Sequence, residues 1–298
     1  MRRPQSLALA LLLCSSPLWA GRFDVVVEAQ SPETATLVKS LRSAGGPGGE
    51  GALYDMSAVD LTNPVEKGKF LARLARAELL VPVGEVATRF VAREFEETPA
   101  FFVGTAVVDG NSLAGPNMAG ILGINPDGIL QAAAALGLKR VALAYTPGYA
   151  PLADRIATLA QPAGIELRKA RVESASRIVP ILQNIFPKVD AVWILGDPIL
   201  ARGAGFEFLV EQSLTRKIPI ISPTSWGVAR GALFCLKIDF NALAGPASAS
   251  LKHILEQDIK LPERRLEMAS DGTIVFNSGQ MQRWGFAVPR EGSWQPNQ

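Results

Sequence analysis

Short apolar runs alternate along the chain with longer stretches whose apolar residues recur at helical spacing, the pattern of an α/β fold built on parallel sheets. Phe23–Glu28 predicts a first strand. Ser31-Pro32-Glu33 then supplies an N-cap, a proline at the first helical position and an early acid, and Leu37, Val38 and Leu41 give that helix its apolar face. Further strands are expected at Ala52–Met56, Leu79–Val83 and Ala100–Val103, with helices after Asn63-Pro64 and from Glu85 to Arg93. Gly104–Gly123 is glycine-rich, with little helical period, and reads as the passage from a first lobe to a second.

The second half repeats the alternation more regularly. Strands at Arg140–Tyr145, Ile165–Ala170, Ala191–Leu195, Ile218–Ile221 and Leu233–Lys237 are separated by helices that begin near Pro126, Pro151, Ser176 and Phe206. Such a βαβ series predicts a doubly wound sheet. A helix at Asn241–Gln257, a hairpin of Leu266–Ala269 with Thr273–Phe276, and a last turn at Ser278–Trp284 complete the pattern. The expected organisation is a first lobe over 22–109 joined by 238–262, a second over 110–237 joined by 265–290, and a tail at 291–298. Trp193, in an apolar strand, and Trp284 are expected in the core.

Composition narrows the function classes. With 48% hydrophobic and 19% charged residues in 298, the chain can build sizeable cores. Thirty Lys+Arg against 28 Asp+Glu argue against a nucleic-acid partner. Residues 1–20 carry a basic start, an apolar run from Leu7 to Cys14 and Ala20 at the expected cut, the marks of a cleaved secretory signal and hence of a periplasmic protein. Lipid anchoring at Cys14 is the rival outcome, disfavoured by Leu13 just before it. Cleavage leaves Cys235 as the one thiol, with Leu233, Phe234 and Leu236 around it, which predicts a buried and inert side chain. One His and two Cys leave too few ligands for a conventional metal centre, and no cofactor is expected.

Enzyme motifs are correspondingly sparse. Gly46, Gly48 and Gly51 fit G-x-G-x-x-G, but after a helix and before a strand, the reverse of a dinucleotide site. Lys69, Arg73 and Arg76 make a solvated helix face, and His253 points away from the apolar side of its helix. Ligands of open α/β sheets bind beyond the carboxyl ends of strands. That rule selects Ser31, Gly84, Glu85 and Thr105 in the first lobe, and Tyr145, Thr146, Asp197, Thr224 and Trp226 in the second. Helix amino termini there suit a carboxylate, Glu85 or Asp197 an ammonium group, and Tyr145 and Trp226 a flat apolar or cationic part. Ser31 and Asp197 also read as helix caps, and Trp226 as packing.

Several stretches, in order, carry a resemblance. They are Gly84-Glu85-Val86-Ala87-Thr88, Thr98–Val103, Gly110–Gly115, Leu138–Tyr145, Val189–Trp193 through Asp197, Ile218–Ile221, Gly231-Ala232-Leu233, Ile238-Asp239-Phe240, and Ile274–Asn277 ending in Gly285 and Pro289. From about Leu79 to Pro289 the chain resembles the exported ABC-transporter substrate-binding proteins of the tryptophan/tyrosine type. It departs from them in the Gly-rich first unit, in Glu85 where a small hydroxyl residue is usual, and in Gly245-Pro246 within a helix. The resemblance implies a type I periplasmic-binding-protein-like fold: two doubly wound parallel-sheet lobes joined by a hinge. They would close on a small molecule, an amino acid or related metabolite, about Gly104–Gly115 and Phe234–Phe240. A monomer would then deliver it to an ABC permease. A ligand-sensing or scaffold role on the same fold stays open, as does a periplasmic hydrolase.

Overall fold

The computed structural model describes residues 22–47, 49–109, 116–262, 266–269 and 272–287. The expected signal segment 1–20 and the tail 291–298 lie outside them, as do Gly110–Gly115 and Pro289. Two six-stranded sheets organise the chain. The first contains β1 (Phe23–Val27), β2 (Ala52–Asp55), β3 (Leu79–Val83), β4 (Ala100–Thr105), β5 (Met118–Leu122) and β11 (Leu266–Met268), in the order β2-β1-β3-β4-β5-β11 and all parallel. The second contains β6 (Arg140–Tyr145), β7 (Glu166–Arg171), β8 (Ala191–Ile194), β9 (Ile220–Ile221), β10 (Phe234–Ile238) and β12 (Gly272–Phe276), ordered β7-β6-β8-β9-β10-β12. Only β12 there runs antiparallel, against β10.

Side-chain alternation puts helices on both faces of each sheet. In the first lobe Phe23, Val25, Val27 and Phe101 face α1 (Pro32–Arg42) and α10 (Phe240–Glu256), meeting Leu37, Leu41, Ala247 and Leu251. Val26, Leu80 and Phe102 point the other way, onto Phe70 and Leu74 of α2 (Pro64–Leu74) and Phe90 of α3 (Gly84–Glu94). In the second lobe Leu143 and Trp193 pack on α4 (Pro126–Ala135) and α5 (Ala150–Ala160). Ala144 and Ile194 pack toward α6 (Ile178–Ile185) and α8 (Gly203–Arg216). Helix α10 runs unbroken through Pro246, and is tied to α1 by the Ser40 hydroxyl donating to the Ala244 carbonyl and the Ser248 hydroxyl donating to the Ser40 carbonyl. Cys235 and Trp193 are buried, and His253 is exposed. Burial pushes the Cys235 thiol up to about 12, so it stays protonated and unreactive at neutral pH.

Three expectations need correction. Gly104–Gly123 does not pass from lobe to lobe: β5 lies inside it and pairs with β4 in the first sheet. Gly120 hid this strand. A side chain there would meet the Phe102 carbonyl oxygen at 2.0 Å, so the position must be glycine although the strand is fully buried. The first crossing is therefore at Gly123–Asn125, and the second follows β10 at Asp239. Nor do β11 and β12 form a hairpin, because β11 joins β5 in the first sheet and β12 joins β10 in the second. Trp284, finally, is half-buried rather than in the core. It lines a groove of about 710 Å3 with Leu138, Asp190 and Pro219, at the amino-terminal edge of the second sheet. The Gly-rich loop lies at the corresponding edge of the first sheet, where Gly51 sits on the Phe23 ring, at the opposite end from the strand carboxyl termini.

Asp24 is the one carboxylate built into the middle of this framework among the described β1 residues. It is 6% exposed, and burial raises its pKa from 3.8 to about 6, partly opposed by a hydrogen bond from the Ala52 backbone. The folded chain thus holds a proton there that the unfolded chain loses near 3.8. Stability from this group falls as pH rises from about 4 to about 6, by roughly 1–3 kcal/mol. Asp24→Asn removes the titration. Urea melts across pH 4 to 7.5 should show the variant gaining on the wild type through that window and levelling off above it. Parallel curves would refute the assignment.

Candidate functional site

The carboxyl ends of the two sheets face each other across a short segment that leaves the first lobe and returns. After β4, Thr105–Val108 reaches the second lobe before the chain comes back as β5. Gly104 makes the turn at φ 72°, and Val107 buries its side chain among Ala144, Ile194 and Leu200 of the second lobe. The Val108 N–H donates to the Gly196 carbonyl at 2.8 Å. The backbones are so close that a side chain on Gly196 would lie 1.6 Å from the Ala106 carbonyl oxygen. Only glycine fits there.

Tyr149 closes this junction from below. Its hydroxyl accepts from the Val108 N–H at 3.1 Å, and its own hydrogen is within reach of the carbonyls of Gly196 at 2.7 Å and Val108 at 3.0 Å. The ring is fully buried, and burial raises the phenol pKa, so the group acts as a neutral donor and acceptor.

Around this junction the structure distributes the nine residues selected from sequence. Thr146 and Asp197 come together: the Thr146 hydroxyl donates to Asp197 Oδ2 at 2.7 Å, and both are buried. Asp197 also caps α7 (Pro198–Ala201), its Oδ1 accepting from the Ile199 N–H at 2.9 Å. Tyr145 is buried just before Thr146. Thr105 is wholly buried and donates to the Val107 carbonyl at 3.0 Å, shaping the turn. Gly84, at φ 79°, turns the end of β3 into α3 and places Glu85 in the first helical turn.

Glu85 meets two arginines. Arg89 lies one turn on, at 3.5 Å, and Arg202 reaches it from the second lobe through a direct hydrogen-bonded ion pair. Thr224 caps α9 (Ser225–Ala229), which carries Trp226. The Trp226 ring lies 5.3 Å from Phe206, with the Arg230 guanidinium 4.2 Å over its face, and remains 39% exposed. Ser31 stands apart from these contacts. It caps α1 by accepting from the Thr34 N–H and lies on a groove of about 340 Å3 along α1 and β2.

Arg202 and Tyr149 escaped the sequence reading. Arg202 lies between two helices with no periodic signal, and Tyr149 follows a Pro-Gly turn. An aromatic just beyond a strand end was the one available clue. Among the described residues no group of His, Cys, Asp and Glu could hold a metal ion, and no helix is long and apolar enough to cross a membrane.

A family model described as ABC transporter substrate binding protein matches residues 73–297. The chain belongs to that family. Its members bind a small-molecule substrate and work with an ABC transporter, and the protein is a solute-binding component of that kind. No curated protein matches it. Among solved structures it is similar to an ABC domain from Streptococcus pneumoniae in complex with L-Trp, at TM-score 0.51 and 19% identity, covering 90% of this chain and 96% of that one. A conserved domain protein from Vibrio cholerae is similar at TM-score 0.50 and 18% identity, with the same two coverages. At these identities the likeness concerns the fold, two lobes of mainly parallel sheet.

Tyr149→Phe tests the junction of this solute-binding protein. Removing the hydroxyl takes the donor from the buried Val108 carbonyl while the Val108 N–H keeps its bond to Gly196, and the expected cost is about 1–2 kcal/mol. Thermal melting should drop by several degrees, with faster protease cleavage near residues 104–109. An unchanged melting temperature would mean that the hydroxyl bonds carry no stability.

Proposed function

We propose that the mature chain, exported after removal of residues 1–20, captures a small polar or aromatic metabolite between its lobes, as a monomer and without covalent chemistry, and hands it to a membrane permease. One observation carries the reading. The strand carboxyl ends of both sheets meet at Ala106–Gly196 and at Glu85–Arg202, so loops of both lobes border one space. Gly84, Glu85, Thr105, Tyr145, Thr146, Asp197, Thr224 and Trp226 surround it in this reading, with Ser31 at its outer margin. Helix starts at Gly84 and Ser225 offer backbone N–H groups to an anionic group of the ligand, whereas the N–H groups of α7 are taken by Asp197. The exposed part of Trp226, beside the stacked Arg230, offers an apolar edge to the ligand.

An amino acid or a related compound fits such a mixture, in line with the L-Trp bound to the Streptococcus pneumoniae neighbour. Closure is favoured only as far as the ligand touches both lobes better when they are together. Lobe motion in this reading turns on the connections near Gly104, Gly123–Asn125 and Asp239, with Gly110–Gly115 outside the described residues.

Purified protein should melt at higher temperature with one member of a panel of amino acids and related compounds. A ligand at a hundredfold excess over its Kd adds about 2.7 kcal/mol. Trp226→Ala should weaken that response. A flat response across a broad panel would overturn the reading.

A further inference from the structure

The contacts between the lobes are of two kinds. Most lie on the connections themselves. Val108 meets Gly196 and Tyr149 on the excursion after β4. Lys237, at the end of β10, pairs with Glu33 at 3.4 Å, and Arg155 donates to the Leu266 carbonyl at 2.8 Å just before the chain moves from β11 to β12. Contacts so close to a pivot move little when the lobes turn about it. The Glu85–Arg202 pair is of the second kind. Glu85 starts α3, which follows β3, and Arg202 stands between α7 and α8. Neither element is part of a connection, so a hinge motion separates these two groups.

We propose that Arg202 is a closure latch: its guanidinium, carried by the second lobe, takes the Glu85 carboxylate of the first and biases the molecule toward the closed arrangement, with Arg89 retaining Glu85 when the lobes part. The pair is placed for this. Glu85 is 20% exposed and Arg202 41%, enough shielding to strengthen the attraction while leaving both ends reachable by water. Arg89, on the same helix as Glu85, keeps the acid partnered in either arrangement. Opening therefore strands no buried charge and the latch is weak and reversible, as a protein that must also release its cargo requires. The latch rests on the proposed lobe motion but on no particular ligand.

The test reads the distance between the lobes directly. Val65, at the start of α2, and Val179, at the start of α6, are exposed on different lobes at the ends nearest the cleft. In a Cys14→Ser chain carrying Val65→Cys and Val179→Cys, the buried Cys235 leaves the introduced thiols to take spin labels. Without any added solute, Glu85→Gln and Arg202→Gln should each shift the closed-to-open ratio toward open by about two- to tenfold. Arg202→Lys, which keeps the charge, should retain most of the closed population. Raising NaCl from 0.05 to 1 M in the unsubstituted pair should open it similarly, with little further change in the neutral variants. Distances that ignore both salt and neutralisation would overturn the latch while leaving solute binding, read by the melting shift, intact. A melting panel without response beside a salt-sensitive distance would do the reverse.

Discussion

At Gly196 the backbone of the second lobe comes against that of Ala106 in the first, closer than any side chain permits. This approach fixes how the sheet ends face each other. Val107 can enter the second core only because the segment passes so near, and Tyr149 can bond both strands of the junction only because they lie side by side. Asp197 then follows directly, held by Thr146 and by the start of α7. Arg202, five positions later, reaches the first lobe from the same stretch of chain. A short run of backbone thus positions an acid and a base, one facing its own lobe and one facing the other.

The apolar core follows the same logic. Leu122 and Ile124 carry a continuous buried cluster from the first sheet through the first crossing to Ile129 and Leu130 of α4. The lobes are therefore not two droplets on a string; hydrophobic burial extends through the crossing. The same packing reaches the backbone, since the missing side chains of Gly104 and Gly123 leave room for Phe240 and Ile238.

Much of the fold was legible because each strand and helix announces itself locally. Ser31, Asn63 and Asn125 are caps in the structure as their spacing suggests, and the apolar strands alternate onto two helix layers. What the sequence concealed is non-local. Met118–Leu122 looks like part of a linker until the Phe102 carbonyl explains Gly120. Leu266–Met268 and Gly272–Phe276 look like a hairpin because nearness in sequence resembles nearness in space, yet their partners are β5 and β10. At the site, a rule about strand ends located the loops, but a pairing such as Thr146 with Asp197 joins residues 51 apart and needs the sheet order first.

The separation of β11 and β12 also bears on how the protein is made. The last two strands complete one sheet each, so the first lobe lacks its outer strand, and the second its antiparallel edge, until the chain has been synthesised through Phe276. Neither lobe can finish folding as a ribosome-bound amino-terminal fragment. Losing the last strands to truncation would therefore leave an unpaired edge on both sheets at once, in two places where another chain could add.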